Sequence, residues 1–278
     1  MKELYCFIEG EIKKIEECHL SITDLGIQRG YGLFDFFRIK GNKPLFIEDH
    51  LERFFHSAKR MRMESILDIH ELRATLERLI NMNQLDHSGM KIILTGGDSQ
   101  DGYSISKPRL CIVQNQLLPP PDQLPAAGIH LASWNYQRQL PDVKTTDYLM
   151  AIWLQPWMKE RKADDILYHH DNVIRECPRS NIFIITNEGH LATPAEGMLS
   201  GITRKNIIRV TSKIGIPVSE RNITLEQLKK SAGAFICSTT KRMMPVDHMD
   251  GDSIGNEASR EIMQQIWNGL LEMEEAPR

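Results

Sequence analysis

Four prolines crowd into the eight residues Leu118-Pro-Pro-Pro-Asp-Gln-Leu-Pro125. Proline has no backbone N–H and its ring fixes φ, so such a run suits neither a helix interior nor a central strand. It favours an extended, semi-rigid path. The chain is therefore expected to divide here. Residues 1–118 would form a small N-terminal domain, 119–127 a proline-rich linker and 128–278 a larger C-terminal domain. A chain of 278 residues is long enough for two modest domains.

Before the linker, Tyr5-Cys-Phe-Ile is an apolar run closed by Glu9-Gly10, the pattern of a hairpin. Leu33 to Ile39 is rich in β-forming residues. From Ile47 to Met61, apolar residues recur at Ile47, Leu51, Phe54, Phe55, Ala58 and Met61, the spacing of one buried helical face. A second helix is expected from about Ile69 to Met82. Met90 to Thr95 and Leu110 to Val113 read as buried strands. After the linker, strands and helices alternate. Gly128 to Trp134, Ile166 to Tyr168, Asn181 to Thr186 and Ala234 to Cys237 read as strands, and Glu257 to Glu272 as a final helix. Asp147 to Lys162 looks helical, with Pro156 expected to kink it. Gly201 to Lys213 is helical up to Gly215, a suitable terminating glycine.

Composition narrows the class of function. The net charge of -3 gives no footprint for nucleic acid. No run of about 18 apolar residues could span a membrane, and the N-terminus lacks the apolar core of a signal peptide. The five cysteines (Cys6, Cys18, Cys111, Cys177, Cys237) are odd in number and lack metal-type spacing, which suits a reducing compartment better than a disulfide framework. A cytoplasmic enzyme is the expectation. His169 and His170 would point to opposite faces of a strand, so no metal site is expected.

Two residues stand out for chemistry. Lys144, in Pro-Asp-Val-Lys-Thr-Thr-Asp-Tyr, falls after a strand-like run and just before a helical one. Glu176 follows about 32 residues later, beside a turn that leads into a strand. An amine and a carboxylate at the borders of β elements suit a cofactor needing a covalent anchor and a charge partner. Leu199-Ser-Gly-Ile-Thr-Arg opens a helix, whose first N–H groups lack internal partners and face an anion. The same stretch could equally be an ordinary N-cap made by Ser200.

The chain resembles the fold-type-IV pyridoxal-phosphate enzymes, which include branched-chain aminotransferases, D-amino-acid aminotransferases and aminodeoxychorismate lyase. The resemblance rests on six pieces in order: Arg-Gly-Tyr-Gly-Leu-Phe-Asp (29–35), His-Leu-Glu-Arg (50–53), Val-Lys-Thr (143–145), Glu-Cys-Pro-Arg-Ser-Asn-Ile-Phe (176–183), Leu-Ser-Gly-Ile-Thr-Arg (199–204) and Ser-Thr-Thr (238–240). It covers nearly the whole chain. It implies an α+β, two-domain architecture: a small N-terminal α/β domain, a larger C-terminal pseudo-barrel domain, and pyridoxal 5'-phosphate in the cleft between them.

The resemblance also implies roles. Lys144 would be the catalytic Schiff-base lysine. Glu176 would pair with the pyridine nitrogen and keep the ring protonated. Arg53, three residues after His50, would clamp the phosphate. Gly201, Ile202, Thr203 and Thr239 would bind phosphate, and Leu199 would pack on the ring. Thr240 would meet the substrate carboxylate, and Phe34 would line the substrate side. Arg29 and Lys91 are the positive residues nominated for the substrate carboxylate. Lys241-Arg242 could attract a dicarboxylate or could be solvated, and Arg138 is expected to make structural contacts. Phe34 stands where the D-type enzymes tend to carry tyrosine, Asp35 where glutamate is usual, and Gly96-Gly97 lacks the arginine–histidine pair of some D-type enzymes.

The implied activity is transfer of an amino group between a small amino acid, of branched-chain L- or D-amino acid type, and a 2-oxo acid. The alternative is an aminodeoxychorismate lyase releasing pyruvate with the same lysine and cofactor. A homodimer with a shared active site is the implied assembly.

Overall fold

The structure, a computed structural model, describes residues 3–63 and 68–276. The chain separates into two compact units, Met1–Pro119 with Val143–Asp147, and Pro120–Asp142 with Tyr148–Arg278. The short segment carrying Lys144 is thus counted with the first unit, although it lies beyond the prolines in sequence.

The first unit contains β1 (Tyr5–Ile8), β2 (Glu11–Lys14), α1 (Leu25–Arg29), β3 (Gly32–Lys40), β4 (Lys43–Pro44), α2 (Ile47–Arg60), α3 (Ile69–Asn83), β5 (His87–Thr95) and β6 (Arg109–Gln116). The strands form one sheet in the order β2-β1-β6-β5-β3-β4, with all the pairings antiparallel. The 3–4 spacing of α2 places Ile47, Leu51, Phe54 and Ala58 inward, as the sequence predicts. They meet Leu33, Phe37 and Ile39 of β3 and Met90, Ile92 and Leu94 of β5 in one core, with Leu72, Leu76 and Leu79 of α3. Alternation along a strand then turns Phe34, Phe36, Lys91 and Ile93 to the other face, where each is half-buried. Asp68 caps α3 through a reciprocal capping box with Glu71.

The second unit contains β7 (Ile129–Asn135), α4 (Leu149–Trp153), α5 (Gln155–Glu160), β8 (Asp165–His170), β9 (Val173–Ile174), β10 (Asn181–Ile185), β11 (Leu191–Thr193), α6 (Ile202–Lys213), β12 (Val218–Glu220), α7 (Leu225–Lys229), β13 (Gly233–Ser238), β14 (Arg242–Met249), β15 (Asp252–Ser253) and α8 (Glu257–Glu275). Its nine-stranded sheet runs β12-β11-β10-β13-β14-β7-β8-β9, with β15 on β14. The pairs β11–β12, β14–β7 and β7–β8 are parallel, the others antiparallel. Phe183, Phe235 and Met243 pack on Val210 of α6 and on Met263, Ile266, Trp267 and Leu270 of α8. A separate core holds Ile182, Ile184, Ala234, Ile236 and Val246.

Two expectations need correction. A single kinked helix over Asp147 to Lys162 is replaced by two short ones, α4 and α5, with Pro156 in the first turn of the second. A missing N–H costs nothing in a first turn, so the break falls before the proline. The reading against disulfides fails at Cys6 and Cys18, which are bonded, leaving Cys111, Cys177 and Cys237 as buried thiols. Cys18 follows the β1–β2 hairpin, which folds the chain back toward Cys6; spacing alone does not reveal that return. Among the described residues, no helix is long and apolar enough to cross a membrane.

Candidate active site

In the first unit, residues 143–147 run beside the start of β3. Leu33 bridges Thr145, and the N–H of Phe34 donates to the carbonyl of Lys144 at 2.9 Å. This register buries Val143 in the core and leaves Lys144 half-buried. The Lys144 Nζ stands 4.5 Å from the centroid of the Phe34 ring. Lys91 Nζ stands 5.4 Å from the same centroid. The structure therefore groups two nominated residues, Lys144 and Lys91, around the ring of a third, Phe34.

Arg53 projects from α2 and its side chain is 10% exposed. Its Nε donates to Asp35 Oδ2 at 2.8 Å and its Nη2 to Asp35 Oδ1 at 2.9 Å. His50 Nδ1 lies 2.7 Å from Asp35 Oδ1. Burial by itself raises the carboxyl of Asp35, but the charges and hydrogen bonds of Arg53 and His50 override it and hold Asp35 well below the usual carboxylate range. Burial lowers His50, so the neutral ring donates its Nδ1–H to the carboxylate. Asp35 is the residue sequence reasoning missed. The signal was present in outline: a charged residue inside the apolar stretch Leu33 to Ile39 needs an opposite charge.

In the second unit, Glu176 follows β9 and is 5% exposed. Arg138 Nε donates to its Oε1 at 2.7 Å, and the Leu199 N–H donates to its Oε2 at 3.0 Å. Arg138 also reaches the Pro141 carbonyl, at 2.7 Å. The Asn181 amide donates to the Leu199 carbonyl at 2.7 Å. A Cβ on Gly201 would collide with Asn181 Oδ1, so only glycine fits there. Gly201, rather than Ser200, is the N-cap of α6, and as a glycine it brings no side-chain cap. No acidic residue lies in the first turn. Ile202 and Thr203 open the helix.

Thr239 is half-buried and Thr240 exposed on the turn joining β13 to β14. The basic pair that follows is neutralised. Lys241 Nζ meets Asp165 Oδ2 at 3.0 Å, and Arg242 binds both oxygens of buried Glu274 through Nε and Nη2. Neither residue is therefore an open cation. Arg29 sits exposed at the end of α1, where it donates to the Gln28 carbonyl.

Comparison with known proteins defines the class. Residues 32–249 match the family model described as amino-transferase class IV. The D-alanine aminotransferase of Listeria monocytogenes serotype 4b (strain F2365) is 28% identical, over 95% of this chain and 94% of its own. The branched-chain aminotransferase of the thermophilic archaeon Thermoproteus uzoniensis, solved with norvaline, superposes with a TM-score of 0.86 at 23% identity, covering 99% of this chain and 97% of that one. A putative 4-amino-4-deoxychorismate lyase from Legionella pneumophila superposes with a TM-score of 0.80 at 24% identity, covering 92% and 97%. At these identities the two solved structures speak to the fold, which is fold type IV.

The chain belongs to the class IV aminotransferase family. It is an enzyme of a family that works with pyridoxal phosphate.

Proposed function

We propose that this enzyme moves an amino group between a small amino acid and a 2-oxo acid, with Lys144 as its reacting amine. Full-length similarity to D-alanine aminotransferase carries the choice of transfer over lysis. The donor of that relative is a D-amino acid, and the same exchange chemistry serves a branched-chain L-amino acid.

The residues of each unit suit pyridoxal phosphate. A buried carboxylate with a donor on each oxygen, as at Glu176, is held ionised and fixed in direction. A first turn with glycine at its N-cap and no acidic residue, as at Gly201 to Thr203, suits a phosphate. Lys144 would anchor the cofactor, and Arg53, Gly201, Ile202, Thr203 and Thr239 would hold its phosphate. Leu199 would pack against its ring. Thr240, Phe34, Arg29 and Lys91 are assigned to the substrate.

When bound, the cofactor supplies an aldehyde that accepts the amino group and a ring that withdraws electrons from the substrate α-carbon. Lys144 Nζ would hold and move the proton of that carbon. Glu176, held ionised, would favour a proton on the ring nitrogen through its negative charge. Asp35 fixes the plane of the Arg53 guanidinium, and the Asn181 amide fixes the loop that presents Leu199. Fixed partners of this kind convert binding into orientation. The exposed Leu149, Ile152 and Trp153 of α4 provide an apolar surface for a second copy of the chain, in keeping with a homodimer that shares its active sites.

A spectral panel of half-reactions with D- and L-amino acids tests the reading. Conversion of the cofactor by one enantiomer, with recovery on adding 2-oxoglutarate, is the expected result. The likeness to the Legionella protein favours a second reading, an aminodeoxychorismate lyase with the same lysine. Pyruvate release from aminodeoxychorismate, with no exchange between amino acids and 2-oxo acids, would establish it instead.

A further inference from the structure

The turn that joins β13 to β14 carries Thr239 and Thr240, and its internal bonds are weak. Ser238 Oγ accepts the Lys241 N–H at 3.3 Å and stands 3.5 Å from the Thr240 hydroxyl oxygen. Both distances are long for a hydrogen bond of their kind. The ladder below the turn ends at the pair Ser238 and Arg242. Within the turn, long bonds tie the three residues above that rung.

The shorter bonds belong to the two cations that follow. Lys241 Nζ donates to Asp165 Oδ2 at 3.0 Å, and the Ile166 N–H donates to Asp165 Oδ1 at 2.9 Å, so that carboxylate is held at both oxygens. β8 begins at Asp165 and pairs with neither β13 nor β14, because β7 lies between. Lys241 therefore ties the turn to a strand that the turn's own backbone does not reach. Arg242 fixes the next position. Its φ of +55° lies in the left-handed region, which favours glycine. An unfavoured angle persists where the surroundings over-determine it. Here the guanidinium donates to Glu274 Oε2 at 2.8 Å and stands 5.6 Å from the centroid of the Trp267 ring.

We propose that Lys241 is a positioning residue: paired with Asp165, it fixes the Thr239–Thr240 turn in the conformation that receives the α-carboxylate of the substrate. This rests on the assignment of Thr240 to the substrate. A partly buried ion pair contributes little net stability, because desolvation offsets its attraction. What the Lys241–Asp165 pair contributes is geometry. A turn ordered before the anion arrives need not be ordered by it, and binding is tighter by that amount. The α-carboxylate is common to every amino acid and 2-oxo acid, so the effect reaches all substrates alike.

The test compares wild type with Lys241→Met and Asp165→Asn as holoenzymes. Amide hydrogen exchange of the peptide spanning residues 238–242 reads the turn, and steady-state kinetics with the best donor of the half-reaction panel reads binding. Both variants should exchange the turn amides on the order of tenfold faster. Both should raise KM on the order of tenfold with kcat within about twofold of wild type, the mark of lost uniform binding. Lys241 is 27% exposed, so in Asp165→Asn its ammonium reaches water, and this variant carries the test if Lys241→Met does not fold. The double variant should be no worse than either single change, because the two side chains act as one unit. Lys241→Arg keeps the charge and should stay within about threefold of wild type in KM. Unchanged exchange in Asp165→Asn overturns the proposal. So does faster exchange with an unchanged KM, a double variant whose losses add, or a Lys241→Arg enzyme as weak as Lys241→Met. A wild type that converts no amino acid sinks the transfer reading instead, and exchange then decides by itself whether Lys241 holds the turn.

Discussion

Arg138 and Glu176 lie 38 residues apart in sequence and meet through one 2.7 Å hydrogen bond from Nε to Oε1. Both side chains are largely buried, at 14% and 7% exposed. The other carboxylate oxygen of Glu176 takes the Leu199 N–H, so the group is fixed from two directions. Arg138 thus does make a structural contact, and the partner it holds is the carboxylate assigned to the cofactor ring.

Removing the charge of Glu176 should separate its chemical role from its structural one. Glu176→Gln keeps the shape and is expected to cut turnover on the order of 100-fold while the cofactor stays bound. Arg138→Met leaves a buried carboxylate without its partner and should cost about 3 kcal/mol of stability. Steady-state kinetics and urea denaturation read the two effects. A Glu176→Gln enzyme with undiminished turnover would refute the assignment of this carboxylate to the ring nitrogen.

Lys144→Ala should abolish transamination. Much of the cofactor affinity should survive, because the phosphate partners remain. Absorbance of the bound cofactor and a coupled assay measure the two separately. Borohydride reduction of wild type followed by peptide mapping should place the label on Lys144, and a label elsewhere would dismiss the lysine assignment.

The Asp35 cluster should make the protein acid-sensitive. Asp35 has a folded pKa below its unfolded value, so it contributes stability above the unfolded carboxylate range that is lost as pH falls toward the folded value. His50 is also lowered, so the unfolded chain binds its proton first and stability falls with pH here too. The urea midpoint should therefore drop below pH about 6.5, where an unfolded histidine titrates, and drop further below about 4, where an unfolded aspartate does. Asp35→Asn should lower the midpoint at neutral pH and flatten the part below pH about 4. An unchanged slope would show that other carboxylates dominate.

Glu274→Gln should test the end of α8. It removes the charge opposite Arg242, whose guanidinium is buried at 8% exposure and also donates to the Pro121 carbonyl at 2.5 Å. An unpaired buried cation of this kind costs about 3–5 kcal/mol. Thermal or urea unfolding of the variant measures it. A loss below about 1 kcal/mol would mean that water reaches Arg242 readily.

Local features were legible where local physics decides. The apolar spacing of α2 and the glycine after α6 each act within a few residues of themselves. Motif order was legible too, because the class IV pattern is carried by short pieces. The partners of the charged residues were not legible. Asp35 finds Arg53 across 18 positions, Lys241 finds Asp165 across 76 and Arg242 finds Glu274 across 32. A helical or strand period says which face a side chain takes and nothing about what stands opposite.

The sequence by itself determined the periods of the elements and the chemical inventory of amine, carboxylate, guanidinium and glycine-capped helix end. Only the tertiary structure decided which of those charges already have partners. Sheet register turned Phe34, Lys91 and Lys144 to one face and sent Asp35 to the other, beneath α2. A shift of one residue in either strand would exchange the faces, because side chains alternate along the backbone.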